Sequence, residues 1–60
     1  MNKFEIIIEE FDSQYEANKG VNEFIRDCAD TNIEVLEITS HMTAIGKNIT
    51  YVFIYKVALK

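Results

Sequence analysis

The sequence has no proline and no tryptophan, one cysteine, two glycines and six basic residues among its 60. A single cysteine cannot form a disulfide within the chain, which excludes the disulfide-stabilised mini-proteins of secreted families. One cysteine and one histidine are also too few for a structural zinc site. The fold must therefore be stabilised by a small hydrophobic core, by association with other chains, or by both.

Long apolar segments are also missing. The first five residues lack the basic start and the long apolar stretch of a signal peptide, so we expect none. Apolar runs such as Ile6–Ile8 are much shorter than the roughly 20 residues of a membrane-spanning helix. We therefore expect a cytoplasmic protein, in the host cytoplasm if a phage encodes it, with no membrane partner.

The composition that is present is that of a folded acidic domain. The chain is 48% hydrophobic and carries a net charge of -4, which argues against disorder and predicts one domain over residues 1–60. A domain of this size buries only about 60% of its unfolded surface. Oligomerisation is then the expected additional source of stability.

The first half of the chain predicts a strand followed by a helix. Over Lys3–Glu10 the residues Phe4, Ile6 and Ile8 share one side, and Ile7 lies on the other side among charged residues. Ser13 and Glu16 match a capping box at the start of a helix over residues 14–29. The apolar stripe of that helix contains Ala17, Val21, Phe24, Ile25 and Cys28, and Gly20 predicts close approach to the sheet.

Two further strands follow. Over Ile33–Thr43 the apolar pattern changes phase after Val35, which either a β-bulge or a strand with two apolar faces would explain. A turn with Gly46 at positive φ leads into a strand over Asn48–Leu59. This third strand is apolar on both faces over Val52–Ile54, as expected of a central strand.

These elements predict an α+β fold with the order β-α-β-β. The sheet is expected to be mainly antiparallel, with strand order 2-3-1 and the helix on one face. The opposite face would stay open and would hold several of Ile7, Val52, Ile54 and the second-strand residues after the phase change, which are Leu36, Ile38 and Met42. We expect an oligomer interface there that includes Ile7, Val52 and Ile54.

Few residues have side chains that could take part in catalysis or ligand binding. Cys28 lies on the apolar helix stripe and is expected in the core, and His41 is either a solvated strand residue or a pH-sensitive interface contact. Three aromatic side chains share one side of the third strand, where they form either a core or a base-stacking surface: Tyr51, Phe53 and Tyr55. Because Lys56 and Lys60 lie on the opposite parity of the strand and the domain is acidic, we expect no nucleic-acid partner. We expect no enzyme activity, no cofactor and no metal.

Acidic residues at helical spacing form the other candidate surface. Glu23, Asp27 and Asp30 line one side of the predicted helix. They are either a solvated face that keeps the protein soluble or a surface that meets a basic partner, including by mimicry of nucleic acid.

The whole pattern resembles the small sporulation-associated proteins of bacilli and their phages. The matching segments are Phe11–Asp12, Val21–Phe24, Ile33–Ile38 and Tyr51–Tyr55. That resemblance implies a small non-enzymatic protein without catalytic residues. The β-α-β-β order is also similar to that of dodecins, which store flavin between tryptophans in hollow assemblies, but this chain has no tryptophan.

Two functions are therefore expected. The first is a homo-oligomeric protein-binding module, most simply a two-fold dimer formed through the open sheet face or through the edge of the first or second strand. Such a module would be a phage or host regulator or inhibitor of a larger protein, of the counter-defence type, or a small sporulation protein. The alternative is a dodecin-like oligomer that stores a small ligand such as flavin.

Overall fold

The computed structural model describes residues 3–59. It contains four elements in the order β1 (Lys3–Phe11), α1 (Gln14–Asp30), β2 (Ile33–Ile45) and β3 (Asn48–Leu59). The predicted β-α-β-β order is confirmed. The predicted ends of β1, α1 and β2 were each one or two residues short, and β3 matches its predicted bounds.

The three strands form one antiparallel sheet in the order β1-β3-β2. Strand β3 pairs with β1 from Phe11–Tyr51 to Lys3–Leu59, and with β2 along its whole length. The predicted central position of the third strand is therefore correct. The sheet and its one helix make a flat, elongated molecule with extents of 45 × 19 × 10 Å.

Helix α1 begins where its sequence predicts. The Ser13 hydroxyl accepts a hydrogen bond from the backbone N–H of Glu16 at 3.1 Å, which satisfies one of the free amides of the first turn. At the other end, the Thr31 hydroxyl donates to the carbonyl oxygen of Asp27 at 2.8 Å. Asn32 then takes a positive φ of 61°, which turns the chain back into β2.

The phase change in the second strand is a β-bulge. The register with β3 shifts between Val35 and Glu37, so Leu36 is an additional residue. After the bulge, Ile38 and Met42 lie opposite Tyr55 and Tyr51. Ile38 and Met42 therefore lie on the side of the sheet that faces the helix. The expectation that these two residues lie on the opposite, open side is wrong.

The hairpin between β2 and β3 turns at Gly46. Its φ of +60° is a conformation that residues with a Cβ rarely adopt, and glycine adopts it without strain. Pairing continues to Ile45–Asn48, so the turn is shorter than predicted and β2 is longer. The end of the hairpin extends beyond the last β1 pair, which is Phe11 with Tyr51.

Candidate interaction surface

The side of the sheet that faces α1 holds the core. Tyr55 and Val57 are fully buried, and the Tyr55 ring stacks on Phe24 of the helix with ring centroids 3.9 Å apart. The Tyr55 hydroxyl donates a hydrogen bond to Oε1 of Glu9 at 2.9 Å. Burial and this hydrogen bond raise the pKa of Tyr55 well above its ordinary value. Tyr55 is therefore a core residue and not a base-stacking one.

A second aromatic contact closes the other end of this core. Phe11 packs edge-on against Phe53, with centroids 5.9 Å apart. A Cβ at Gly20 would lie 2.5 Å from Cζ of Phe11, so with any other residue at this position the Phe11 ring would have to shift. The prediction that Gly20 permits close approach of the helix is confirmed.

The opposite side of the sheet carries exposed apolar side chains. In an antiparallel pair, directly opposite residues point to the same side, so β1 residues opposite Val52, Ile54, Lys56 and Ala58 lie away from the helix. Three large apolar residues of β1 occupy such positions and are 58–61% exposed: Phe4, Ile6 and Ile8. With the half-buried Val52 and Ile54 they form what we call the open face.

The structure places Ile7 on the other side. Ile7 lies opposite Tyr55, whose ring contacts the helix, so Ile7 belongs to the covered face and is half-buried. The prediction that Ile7 shares a surface with Val52 and Ile54 is therefore wrong. The residues that join Val52 and Ile54 are Phe4, Ile6 and Ile8, and the register between β1 and β3 is the signal that identifies them.

Polar groups also lie on the open face. Lys56 stands on the central strand opposite Ile6, and its ammonium lies 5.5 Å from the centroid of the Phe4 ring, within reach of a cation–π interaction. His41 of β2 is exposed opposite Val52. The apolar part of the open face is therefore concentrated toward β1.

The acidic candidates lie on the helix. Glu23, Asp27 and Asp30 are all exposed, as the helical spacing predicts. Over residues 3–59 no three histidine, cysteine, aspartate or glutamate side chains are grouped so that they could hold a metal ion. These carboxylates are thus available for contact with a basic surface.

Cys28 offers no reactive thiol. It is 4% exposed, and its burial raises the pKa of the thiol, with the carboxylate of Asp27 adding to the shift. A thiol held protonated is a poor nucleophile. The described part of the chain also forms no pocket, and none of its helices is long and apolar enough to cross a membrane.

Comparison with known proteins gives no relative. No family model, curated protein or solved structure matches the chain. The resemblances to sporulation-associated proteins and to dodecins therefore stay predictions.

Proposed function

We propose that this protein is a non-enzymatic homo-oligomer, most simply a dimer, that acts by binding a larger protein. The observation that carries the proposal is the open face, on which Phe4, Ile6 and Ile8 stand side by side and more than half exposed. Contiguous exposed apolar side chains of this kind mark interaction sites in soluble proteins.

The size of the molecule supports association with a second copy. Its accessible surface is 4764 Å², compared with about 4000 Å² for a compact monomer of this mass. The elongated shape thus leaves more surface accessible than a compact monomer of this mass has, and a stable interface buries roughly 800 Å² of it per partner. Covering one exposed isoleucine contributes on the order of 1.5–3 kcal/mol, so a second copy would add substantially to a small core.

Substitution of an exposed apolar residue of the open face tests the proposal. Ile6→Lys places a charge where the neighbouring chain would pack, and we expect the variant to sediment as a monomer at micromolar concentration. Tyr15→Lys is the matched control, because Tyr15 is a 70% exposed aromatic on the helix, in the other layer of the molecule. It should leave the sedimentation of the wild-type oligomer unchanged.

Binding of a larger protein is tested with the acidic helix residues. We propose that Glu23, Asp27 and Asp30 face a basic patch on that protein, a regulator's target in a phage-infected or sporulating cell. Affinity purification from a low-GC Gram-positive host should recover one stoichiometric partner with the wild type. Recovery should fall at least tenfold with Glu23→Lys/Asp27→Lys. Equal recovery would remove the acidic surface from the proposal.

A ligand-storing assembly is the second candidate. The confirmed β-α-β-β order with an antiparallel sheet favours it, because this is the order that resembles dodecins. Titration with riboflavin, followed by quenching of its fluorescence, decides between the two. Saturable quenching at micromolar protein supports storage, and unchanged fluorescence eliminates it.

A further inference from the structure

Strand β1 has an unpaired edge. Within the described residues it pairs with β3 and with no other strand, so one row of its backbone N–H and C=O groups is free to accept another strand. Natural proteins protect such edges with charged side chains, a proline or a bulge. Strand β2 has a bulge at Leu36, whereas β1 has neither a proline nor a bulge and is regular over nine consecutive pairs. The charged side chains of β1 are Lys3, Glu5, Glu9 and Glu10, and a partner strand on this edge must match them.

The exposure of the open face is greatest at this edge. Phe4, Ile6 and Ile8 are 58–61% exposed, whereas Val52 and Ile54 on the central strand are half-buried by neighbours on both sides. The three β1 side chains thus lack a neighbouring strand as well as a covering layer. A strand added beside β1 would bury them from that side.

We propose that two copies of the chain join β1 to β1 in antiparallel register, with Ile6 opposite Ile6 at a two-fold axis. The occupant of the edge is a second copy of this chain. This inference rests on the self-association proposed above, and it specifies which edge is used and in which register.

The charges of β1 select the register. With Ile6 on the axis, Lys3 of each copy lies opposite Glu9 of the other, and Phe4 lies opposite Ile8. The Lys3–Glu9 and Phe4–Ile8 pairs each occur twice because the interface is isologous, and Glu5 lies opposite Ile7. Opposite charges and apolar pairs directly across an antiparallel ladder stabilise it, so the first two pairs and the central Ile6 pair favour this register.

The neighbouring registers are unfavourable. A shift by two residues in one direction places Glu5 opposite Glu5, and in the other direction Glu5 opposite Glu9. Like charges in these positions destabilise a ladder. A shift by a single residue places the apolar side of one strand against the charged side of the other.

The resulting dimer has one continuous sheet of six strands. A two-fold axis perpendicular to the sheet leaves both helices on the same side and joins the two open faces on the other. Val52 and Ile54 lie one strand away from the partner copy, so they stay available to a larger protein.

Charge reversal tests the register. Lys3→Glu should raise the dimer dissociation constant about tenfold, and so should Glu9→Lys, because each creates two like-charge pairs. Mixing the two variants should restore a heterodimer within about threefold of the wild-type affinity. Residues 3 and 9 of one chain lie about 20 Å apart along the extended strand, so this rescue can arise only between chains.

Two controls separate the register from other effects. Lys19→Glu makes the same change in net charge on the exposed surface of the helix and should leave the dissociation constant unchanged. Glu9 also accepts the Tyr55 hydroxyl within its own chain. The double variant Lys3→Glu/Glu9→Gln keeps an acceptor for that hydroxyl and removes the repulsion, so it should bind more tightly than Lys3→Glu alone.

The outcomes distinguish this inference from the proposed function. Weakening by Lys3→Glu with rescue on mixing supports the β1 edge. The β1 edge is overturned if Lys3→Glu and Lys19→Glu weaken the dimer equally. It is also overturned if neither mixing the two charge-reversal variants nor the double variant restores binding. If Ile54→Lys dissociates the dimer while Lys3→Glu and Glu9→Lys leave its dissociation constant unchanged, the two copies pack through their open faces instead. The self-association proposed above would then stand. A wild-type protein that is monomeric at every concentration would overturn both.

Discussion

At the scale of single residues, the Tyr55–Glu9 hydrogen bond links the central strand to the edge strand. Tyr55 is fully buried and its hydroxyl has one acceptor, the half-buried carboxylate of Glu9. A hydrogen bond to a charged group contributes about 1.5–3 kcal/mol. The bond therefore helps to hold β1 in the register that places Ile7, and not Ile6, beneath the helix.

Tyr55→Phe should lower the free energy of unfolding by about 1.5–3 kcal/mol and change its pH dependence. The folded state raises the pKa of Tyr55, whereas an unfolded tyrosine ionises near about 10. The stabilisation is thus fully present below about pH 10 and is lost as the pH rises toward the folded-state value.

Urea unfolding at several alkaline pH values measures this effect. The wild type should lose stability more steeply than Tyr55→Phe above about pH 10. Tyr15→Phe, at a 70% exposed position, should keep the wild-type slope. If the slopes of the wild type and Tyr55→Phe coincide, burial of the hydroxyl does not contribute in this way.

Gly20→Ala should destabilise the protein although alanine favours helices. The added Cβ would overlap the ring of Phe11, which must then move away from Phe53. Overpacking of this kind costs typically about 1–3 kcal/mol, which exceeds the gain in helix propensity of about 1 kcal/mol. Thermal unfolding checks this. Asn22→Ala, at an exposed position of the same helix, should not lower the midpoint.

At the scale of elements, α1 depends on its first turn. Ser13→Ala removes the acceptor of the Glu16 amide and should cost about 1 kcal/mol in urea unfolding. Ser40→Ala, at an exposed position in β2, should change stability by less than about 0.5 kcal/mol. Equal effects of the two substitutions would mean that the cap contributes nothing specific.

Local features of the elements could be predicted from the sequence because neighbouring residues determine them. The cap at Ser13, the turn at Gly46 and the phase change after Val35 each occupy a few consecutive positions. For the phase change after Val35, the sequence alone allowed either a β-bulge or a strand that is apolar on both faces. Pairing with β3 decides for the bulge at Leu36.

The membership of the open face could not be predicted in this way. Which side of β1 faces the helix depends on the register with β3, where the paired residues lie at least 40 positions apart in the sequence. The alternation in β1 shows that Phe4, Ile6 and Ile8 share a side. Only the pairing of Ile7 with Tyr55 shows that this is the uncovered side.

At the scale of the whole molecule, one helix covers one side of a three-stranded sheet. The fully or largely buried apolar residues are few among those the structure describes: Ala17, Cys28, Tyr55, Val57 and Ala58. Large apolar side chains on the other side remain more than half exposed. A chain with so small a core and so open a face is expected to gain stability from a partner, which makes its concentration a determinant of its stability.

Sedimentation equilibrium of the wild-type protein, from nanomolar to high micromolar concentration, tests this account most directly. We predict a mass that rises from that of the 7.0 kDa chain to at least twice that value as the concentration increases. Ile6→Lys should stay at the mass of one chain throughout. A wild-type mass of 7.0 kDa at every concentration would contradict the assignment of the open face as a self-association surface.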